Sequence, residues 1–393
     1  MANPVIASAC RTAIGRFQGA LASLGAVDLG GVVIKEALAR ASISGDIVDE
    51  VIMGCVLQAG LGQNPARQAA RKGGVPDSVG SMTINKVCGS GLKAVALAAQ
   101  AIRAGDAEVI VAGGMESMSR APYLLPAARD GLRLGHGQVL DVMVHDGLWD
   151  AYKNFHMGMT GELVAEKYGI SRQAQDEFAA MSHAKAVSAQ KAGKFKKEIV
   201  AVSVAQRKGE PIVVDSDEGP RADSTVESLS RLKPAFKPNG GTVTAGNASS
   251  INDGASALVV MSEARARKVG APILASILGY AVGGTAPEWV MIAPVEAWKK
   301  LHSKLGTTNA SFGLFEFNEP FAAASIAVVQ ECGLDPRIVN VHGGAIALGH
   351  PIGATGARIL TTLLHAMIDR DVKRGAANLC LGGGNAVALA IER

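Results

Sequence analysis

With 393 residues, the chain is too long for one ordinary hydrophobic core, so more than one domain is expected. Hydrophobic residues make up 48% and charged residues 19%, a balance that favours a well-buried enzyme and argues against a disordered protein. The net charge of +4 is too small to indicate a nucleic-acid binder, although it would help to attract a small polyanion.

Short β-branched runs alternate with Ala- and Leu-rich stretches along the chain, which is typical of an α/β fold. Strands are predicted at 5–9, 50–53, 109–112, 257–261, 312–317 and 378–381. Helices are predicted at 26–41, 91–104, 172–192, 321–331 and 354–370.

Two segments share one order of elements, which indicates an internal duplication. Residues 88–116 and 349–384 each begin with a Gly-rich turn, continue through a helix and a turn, and reach a strand that ends in adjacent glycines. Helix-turn-strand units are common, so chance recurrence is the alternative. Residues 119–248 show weak periodicity and are predicted to form an inserted, loop-rich domain. The predicted domains are an N-terminal half (1–118 with 249–270), the insert (119–248) and a C-terminal half (271–393).

The five cysteines are widely scattered and form no Cys-x-x-Cys pair or Cys/His cluster. Neither a structural zinc site nor a disulfide framework is therefore expected, and a reducing compartment fits best. No secretory signal and no apolar run long enough for a membrane span is visible, which predicts a cytoplasmic protein.

Cys88 follows the residues NKV and precedes GSG, directly before a predicted helix. At a helix N-terminus, unpaired N–H groups and the helix dipole stabilise a thiolate, so we expect a lowered pKa and a nucleophilic thiol. The alternative is a small buried cysteine that packs at a strand–helix corner. The local motif does not decide between these two interpretations.

Two further residues lie in glycine-rich surroundings in the second repeat. His350 occupies the run GHPIG at a helix start, where a tight turn would hold a general base in place. The alternative is a histidine with a purely structural role. His342 is a second candidate for the general base. Cys380 precedes three glycines whose N–H groups would suit an oxyanion, and its alternative is a core cysteine. Because open α/β sheets bind ligands at such strand ends, the functional interpretation of Cys88 and Cys380 is favoured.

Four blocks of the sequence resemble, in order and spacing, the signature blocks of the thiolase family. They cover residues 85–94, 318–322, 343–358 and 380–384. Residues 242–249 and 156–158 add a resemblance to the acetoacetyl-CoA branch of the family, so that the likeness covers nearly the whole chain. It implies a duplicated five-layer α-β-α-β-α core, with an inserted loop domain that binds coenzyme A.

The resemblance also implies an activity and its machinery. Acetyl-CoA C-acetyltransferases carry out a reversible Claisen condensation of two acetyl-CoA to acetoacetyl-CoA and CoA, by a ping-pong mechanism that would here pass through acetyl-Cys88. His350 would be the base for Cys88, and Cys380 would move a proton at the α-carbon of the second acetyl-CoA. Asn318, through a water, and His350 would form one oxyanion hole. The N–H groups of Cys88 and Gly382 would form the other.

Coenzyme A would lie along the insert, with Arg221 near the adenine and Ser249 near the pantetheine. The pantetheine and acyl channel would be lined by Leu148, His156, Met157, Phe236, Ala245 and Phe321. The partners implied are acetyl-CoA, acetoacetyl-CoA and CoA, with no metal, no other cofactor, no nucleic acid and no membrane. A homotetramer is the family expectation, and a dimer is the fallback.

The sequence departs from the family pattern at four places near these blocks. Pro320 stands in place of alanine, Ser250 in place of glycine and His342 in place of asparagine. Asn385 and Ala386 follow Gly384, where the family usually has one residue and then a glycine. The fixed φ of proline would shift Asn318 and its water. Such changes bear on activity and substrate preference, and not on the fold.

Two other functions fit the same blocks. A broader-range 3-ketoacyl-CoA thiolase shares the catalytic blocks, and a thiolase-like acyl-CoA binding protein would keep the fold without turnover. The three intact residues Cys88, His350 and Cys380 argue against the second alternative. Ketosynthases share the fold but pair their cysteine with two histidines, which disagrees with the GHP run and Cys380.

Overall fold

The computed structural model describes residues 2–393. Its α-helices are α1 (Ala26–Arg40), α2 (Pro65–Lys72), α3 (Ser90–Ala104), α4 (Gly158–Lys167), α5 (Arg172–Lys191), α6 (Val226–Ser230), α7 (Glu263–Val269), α8 (Ala293–Leu305), α9 (Ala322–Glu331), α10 (Ala345–Leu348) and α11 (Ile352–Asp369). Its strands are β1 (Pro4–Thr12), β2 (Gly15–Arg16), β3 (Glu50–Gly54), β4 (Gly80–Ile84), β5 (Val109–Ser117), β6 (Tyr123–Leu124), β7 (Leu140–Asp141), β8 (Trp149–Asp150), β9 (Phe155–His156), β10 (Ile199–Val200), β11 (Val202–Val204), β12 (Ile212–Val214), β13 (Asn252–Ser262), β14 (Ala275–Gly284), β15 (Leu314–Phe317), β16 (Arg374–Leu381) and β17 (Asn385–Glu392).

The long strands form one mixed sheet in the order β15-β16-β17-β14-β1-β13-β5-β3-β4. Its two halves meet at a short antiparallel pairing, where Val5 faces Ser276 and Ile6 faces Ala275. In one half, β1, β13 and β5 are antiparallel, and β3 joins β5 in parallel. In the other half, β14, β17 and β16 are antiparallel, and β15 joins β16 in parallel. The two halves therefore repeat one arrangement, as the internal similarity predicted.

Both faces of each half are buried, and strand alternation assigns the side chains to different layers. On β5, Val109 and Val111 pack in a core with α1 and α2, while Ile110 and Ala112 pack in a second core with α3 and α11. Leu389 of β17 joins this second core. The neighbouring alanines of β17 face a third core built around α8.

The layers thus run from α1 and α2, through one half-sheet, the α3–α11 pair and the other half-sheet, to α8. This is the duplicated five-layer α-β-α-β-α core that the resemblance implied, and the prediction of the fold class is confirmed. The predicted strands and helices are all present, with ends that differ by a few residues. The pattern missed the short strands β2 and β6 to β12, the strands β4, β14 and β17, and the helices α2, α4, α6, α7, α8 and α10.

One predicted strand end is wrong for a physical reason. The pair Gly113–Gly114 was expected to terminate a strand, but β5 continues through it to Ser117. A Cβ at Gly113 would lie 2.1 Å from the carbonyl oxygen of Ser256, and a Cβ at Gly114 would lie 2.1 Å from that of Gly353. These glycines permit close packing within the sheet and against the start of α11, so they do not mark a turn.

The segment 119–248 contains α4, α5, α6 and several short strands, and its β10 pairs in parallel with β1. A buried ion pair fastens it to the core. The guanidinium of Arg11 on β1 contacts Glu198 at 2.6 Å and Asp217 at 2.6 Å, with all three side chains almost completely buried. Within residues 2–393, we find no helix that combines the length and the apolar character needed to cross a bilayer.

Candidate active site

A cavity of about 680 Å³ lies where the insert meets the ends of the core elements. Every predicted site residue except Asn318 contributes to its wall. These are Cys88, Leu148, His156, Met157, Arg221, Phe236, Ala245, Ser249, Phe321, His350, Cys380 and Gly382. The cavity therefore gathers residues from all four sequence blocks and from the insert.

Cys88 is held at a strained corner directly before α3. Val87 has a φ of 47°, a left-handed conformation that is unusual for a β-branched residue and is typical of functional sites. The Ser90 hydroxyl supports the corner by accepting from the N–H of Lys86 at 2.8 Å and donating to the carbonyl of Val87 at 2.7 Å. A Cβ at Gly89 would lie 1.8 Å from Cδ2 of Leu381, so glycine is required for the corner to approach the end of β16.

The protonation of Cys88 differs from the prediction. Burial raises the pKa of its thiol to about 12, although the N–H groups of Gly382 and of Cys88 itself act in the opposite direction. The expected lowering at the helix N-terminus is therefore wrong, because desolvation of a thiolate outweighs the helix and its N–H groups. The same N–H groups lie beside the sulfur, where the resemblance places an oxyanion hole.

His350 is fixed by contacts on its backbone and on its ring. Its N–H donates to Oδ1 of Asn252 at 3.0 Å, and its Nδ1 lies 2.7 Å from the hydroxyl of Thr355. That hydroxyl donates its proton to the carbonyl of Pro351 at 2.9 Å. It can therefore only accept from His350, so Nδ1 carries the ring proton and Nε2 keeps a free lone pair.

This tautomer is that of a general base. Burial, and the positive charge of Arg358, lower the pKa of His350 to about 3, so the ring is neutral near pH 7. Cys88 is likewise a neutral thiol. A neutral thiol beside a neutral imidazole is therefore the resting state of this pair.

Cys380 and Asn318 share a smaller space behind the main cavity. Cys380 is the next-to-last residue of β16 and lines both spaces, with its sulfur 4.0 Å from Sδ of Met291. Burial, together with the nearby Cys88, raises the pKa of the Cys380 thiol. The side-chain amide of Asn318 is buried without a protein partner, and the space beside it measures about 20 Å³. One water molecule needs roughly 10–15 Å³, so the space has room for one.

Three of the four departures from the family pattern occupy different places. Ser250 donates to Oδ1 of Asn252 at 2.9 Å and so supports the residue that holds the backbone of His350. Pro320 lines both the main cavity and the space beside Asn318. His342, the rival base, lies outside the cavity wall and packs edge-on against Phe195 at 5.9 Å.

Aromatic rings shape the channel that leads to the sulfur atoms. His156 stacks on Phe236 with centroids 4.7 Å apart, and Phe236 meets Phe321 edge-on at 6.3 Å. Nδ1 of His156 accepts from the N–H of Gly158 at 3.0 Å, and burial lowers the pKa of this histidine. The N–H of Ser249 donates to the carbonyl of Pro320 at 2.9 Å, which joins the insert's end to the Asn318 block.

Several residues of the site carry no local sequence signal. Arg16 and His183 line the cavity with Arg221, and the N–H of Arg221 donates to Nδ1 of His183 at 3.2 Å. Thr355 and Asn252 hold His350, but neither residue was predicted to take part in the site. In the part of the chain that the structure describes, no group of three or more His, Cys, Asp or Glu is placed to hold a metal ion.

Comparisons with known proteins agree with this geometry. The family model of the thiolase N-terminal domain matches residues 4–264, and that of the thiolase C-terminal domain matches residues 271–393. The acetyl-CoA acetyltransferase of Pseudomonas aeruginosa is 56% identical over 393 residues, and that of Escherichia coli is 58% identical over 394 residues; each alignment covers 100% of both chains. The crystal structure of the Bacillus anthracis acetyl-CoA acetyltransferase superimposes with a TM-score of 0.97 at 44% identity, covering 100% of this chain and 99% of that chain. The chain therefore belongs to the thiolase family.

Proposed function

We propose that this protein is an acetyl-CoA C-acetyltransferase, which condenses two acetyl-CoA to acetoacetyl-CoA and CoA through an acetyl-Cys88 intermediate. One observation carries the proposal: Cys88, His350 and Cys380 come from distant blocks of the sequence and line one cavity. The names of the full-length relatives agree with this activity.

In the first half-reaction, Nε2 of His350 takes the proton of Cys88 while the sulfur attacks the thioester carbonyl of acetyl-CoA. The N–H groups of Cys88 and Gly382, which lie beside the sulfur, would hold the developing oxyanion. The tetrahedral intermediate expels the sulfur of CoA, which receives the proton from His350. Acetyl-Cys88 and a neutral His350 remain.

In the second half-reaction, His350 takes the proton of Cys380 while the sulfur of Cys380 removes an α-proton from the second acetyl-CoA. The enolate oxygen would be held by Nε2–H of His350 and by a water on Asn318. The enolate carbon attacks acetyl-Cys88, and the thiolate of Cys88 leaves and regains its proton from His350. Atoms and protons then balance, with Cys88, His350 and Cys380 in their starting states.

A coupled assay tests the proposal with acetoacetyl-CoA thiolysis and with acetyl-CoA condensation. Turnover in both directions is expected. No thiolysis of acetoacetyl-CoA, with acyl-CoA binding intact, would instead establish the non-catalytic alternative.

We expect a preference for short acyl chains because Met157 contributes to the end of the acyl channel. Met157 packs in one cluster with Phe236, Phe321 and Cys380. A longer chain would meet this cluster, and overpacking costs about 1–3 kcal/mol. Catalytic efficiency should therefore be higher on the four-carbon than on the eight-carbon ketoacyl-CoA, and Met157→Ala should narrow the difference. Equal efficiencies of the unchanged protein on both substrates would reject the preference.

We also propose a homotetramer, supported by an apolar surface in the segment 123–139. Its large side chains are exposed, and that of Leu134 is 100% exposed. The exposed members are Tyr123, Leu125, Leu132, Leu134 and Val139. Several exposed large apolar side chains within one short segment are a feature of protein interfaces.

Light scattering after size exclusion tests the tetramer. Replacing both Leu132 and Leu134 with serine should lower the mass from a tetramer to a dimer, since the apolar contact is lost. Val213→Ser is the matched control, because Val213 is 65% exposed but lies on β12, outside the segment 123–139. A tetramer that survives the double change would place its interface elsewhere.

A further inference from the structure

Glu116 is a completely buried carboxylate that does not line the cavity. Four donors surround it. Oε2 accepts from the N–H of Val56 at 3.0 Å and of Gly353 at 2.9 Å. Oε1 accepts from the N–H of Leu57 at 3.1 Å and lies 3.6 Å from Sγ of Cys55. A carboxylate is the side chain that can accept all four.

The donors belong to two segments that flank the reacting groups. Gly353 lies in the first turn of α11, three residues after His350. Leu57 and Ile352 pack in one cluster that also contacts Cys88. Glu116 therefore joins the wall beside Cys88 to the turn that carries His350, at the place where Gly114 lets α11 approach β5.

The charge of Glu116 also acts on the nucleophile. It raises the pKa of Cys88, in the same direction as burial. Burial raises the pKa of Glu116 itself to about 7, so the carboxylate is ionised above neutral pH. The other titratable groups that face this region are His350 and Cys380 from the cavity and Cys55 beside Glu116.

We propose that Glu116 is a positioning residue of the thiolase reaction, whose four contacts set the spacing of Cys88 and His350 and whose charge, behind the wall that contacts Cys88, lowers the reactivity of the Cys88 thiol. The proposal rests on the proposed function. Glu116 would therefore have two separable effects. Its four contacts depend on the length of the side chain, and its effect on the reactivity of the Cys88 thiol depends on its negative charge.

Two variants separate the effect of the side-chain length of Glu116 from the effect of its charge. Glu116→Gln keeps the size but turns an NH₂ group toward two donors, so the segments should shift. We expect kcat to fall about 10- to 100-fold with KM within about twofold, as for a small displacement of reacting groups. Loss of the negative charge should make alkylation of Cys88 by iodoacetamide about 3- to 10-fold faster at pH 8.5, measured by mass spectrometry. Glu116→Asp keeps the charge and loses reach, so kcat should fall without faster alkylation.

In Glu116→Gln, turnover should therefore fall while the alkylation rate of Cys88 rises, and in Glu116→Asp only turnover should fall. A purely structural role would not produce this difference between the two variants. A Glu116→Gln variant with unchanged kcat, or with reduced kcat and unchanged alkylation, would overturn the proposal. If that variant does not fold, unchanged kcat in Glu116→Asp overturns it, and reduced kcat with the alkylation rate of the unchanged protein supports it. If the unchanged protein shows no thiolase turnover, the proposed function fails, whereas the alkylation rates still test the effect of the charge on Cys88.

Discussion

Replacing Cys88 with alanine should abolish acetyl-enzyme formation and turnover together, whereas Cys380→Ser should abolish turnover and keep the acetyl-enzyme. The reason lies in the two halves of the reaction. In the proposed reaction Cys88 supplies the sulfur that forms the covalent bond, so nothing replaces it in the alanine variant. Cys380→Ser leaves Cys88, His350 and the N–H of Gly382 in place, so the first half-reaction proceeds.

The second half-reaction fails in Cys380→Ser because a hydroxyl is a far poorer proton acceptor than a thiolate. General acid–base groups contribute roughly 10²–10⁴-fold, and a loss of condensation rate of that order is expected. Mass spectrometry of the intact variants incubated with acetyl-CoA would show the acetyl adduct, and a coupled assay would measure turnover. Cys332→Ala is the matched control, since this cysteine packs far from the cavity beside α8; it should behave as the unchanged protein.

Two results would contradict the assignment of the cysteines. One is loss of the adduct in Cys380→Ser along with turnover, which would make Cys380 part of the acylation step. The other is condensation by Cys380→Ser at the unmodified rate, which would leave Cys380 without a chemical role.

Much of the fold could be predicted because hydrophobic periodicity is local. The helix 91–104 and the strand 109–112 follow from apolar spacing and from the turn at Gly105, and the structure has both. Strands such as β14 and β17 were missed because small residues dilute their pattern, including Gly279 and Gly283 in β14. At Gly283 a Cβ would lie 2.4 Å from the backbone nitrogen of Ala297, so the close packing of α8 requires glycine there. A glycine within a strand weakens the hydrophobic pattern from which the strand could be predicted.

The residues of the cavity followed from the family resemblance, but their electrostatics did not. A helix start beside Cys88 predicted a stabilised thiolate, yet burial raises the pKa of this thiol to about 12. Burial depends on Leu57, Ile352 and other residues from separate segments. The same limit applies to Glu116, Asn252 and Thr355, whose partners lie close in space and are recognisable only once the chain is folded.

The second large effect on activity is expected from a substitution that changes the tautomer of His350. Thr355→Val keeps the shape of the side chain but removes the oxygen that accepts from Nδ1–H at 2.7 Å. The buried N–H would then lack a partner, which costs about 1–3 kcal/mol and favours the tautomer with its proton on Nε2. That tautomer has no lone pair to take the proton of Cys88, so kcat/KM should fall about 10- to 100-fold.

Thr355→Ser is the matched control for this effect, because it keeps the hydroxyl that donates to the carbonyl of Pro351 and accepts from His350. It should retain kcat/KM within about threefold of the unchanged protein, since the pair of hydrogen bonds survives. Single-turnover acetylation of Cys88, followed by mass spectrometry, should slow in the valine variant and not in the serine variant. If valine and serine variants acetylate Cys88 at the same rate as the unchanged protein, the hydroxyl does not select the tautomer, and the neutral ring of His350 must be oriented by its backbone contact to Asn252 alone.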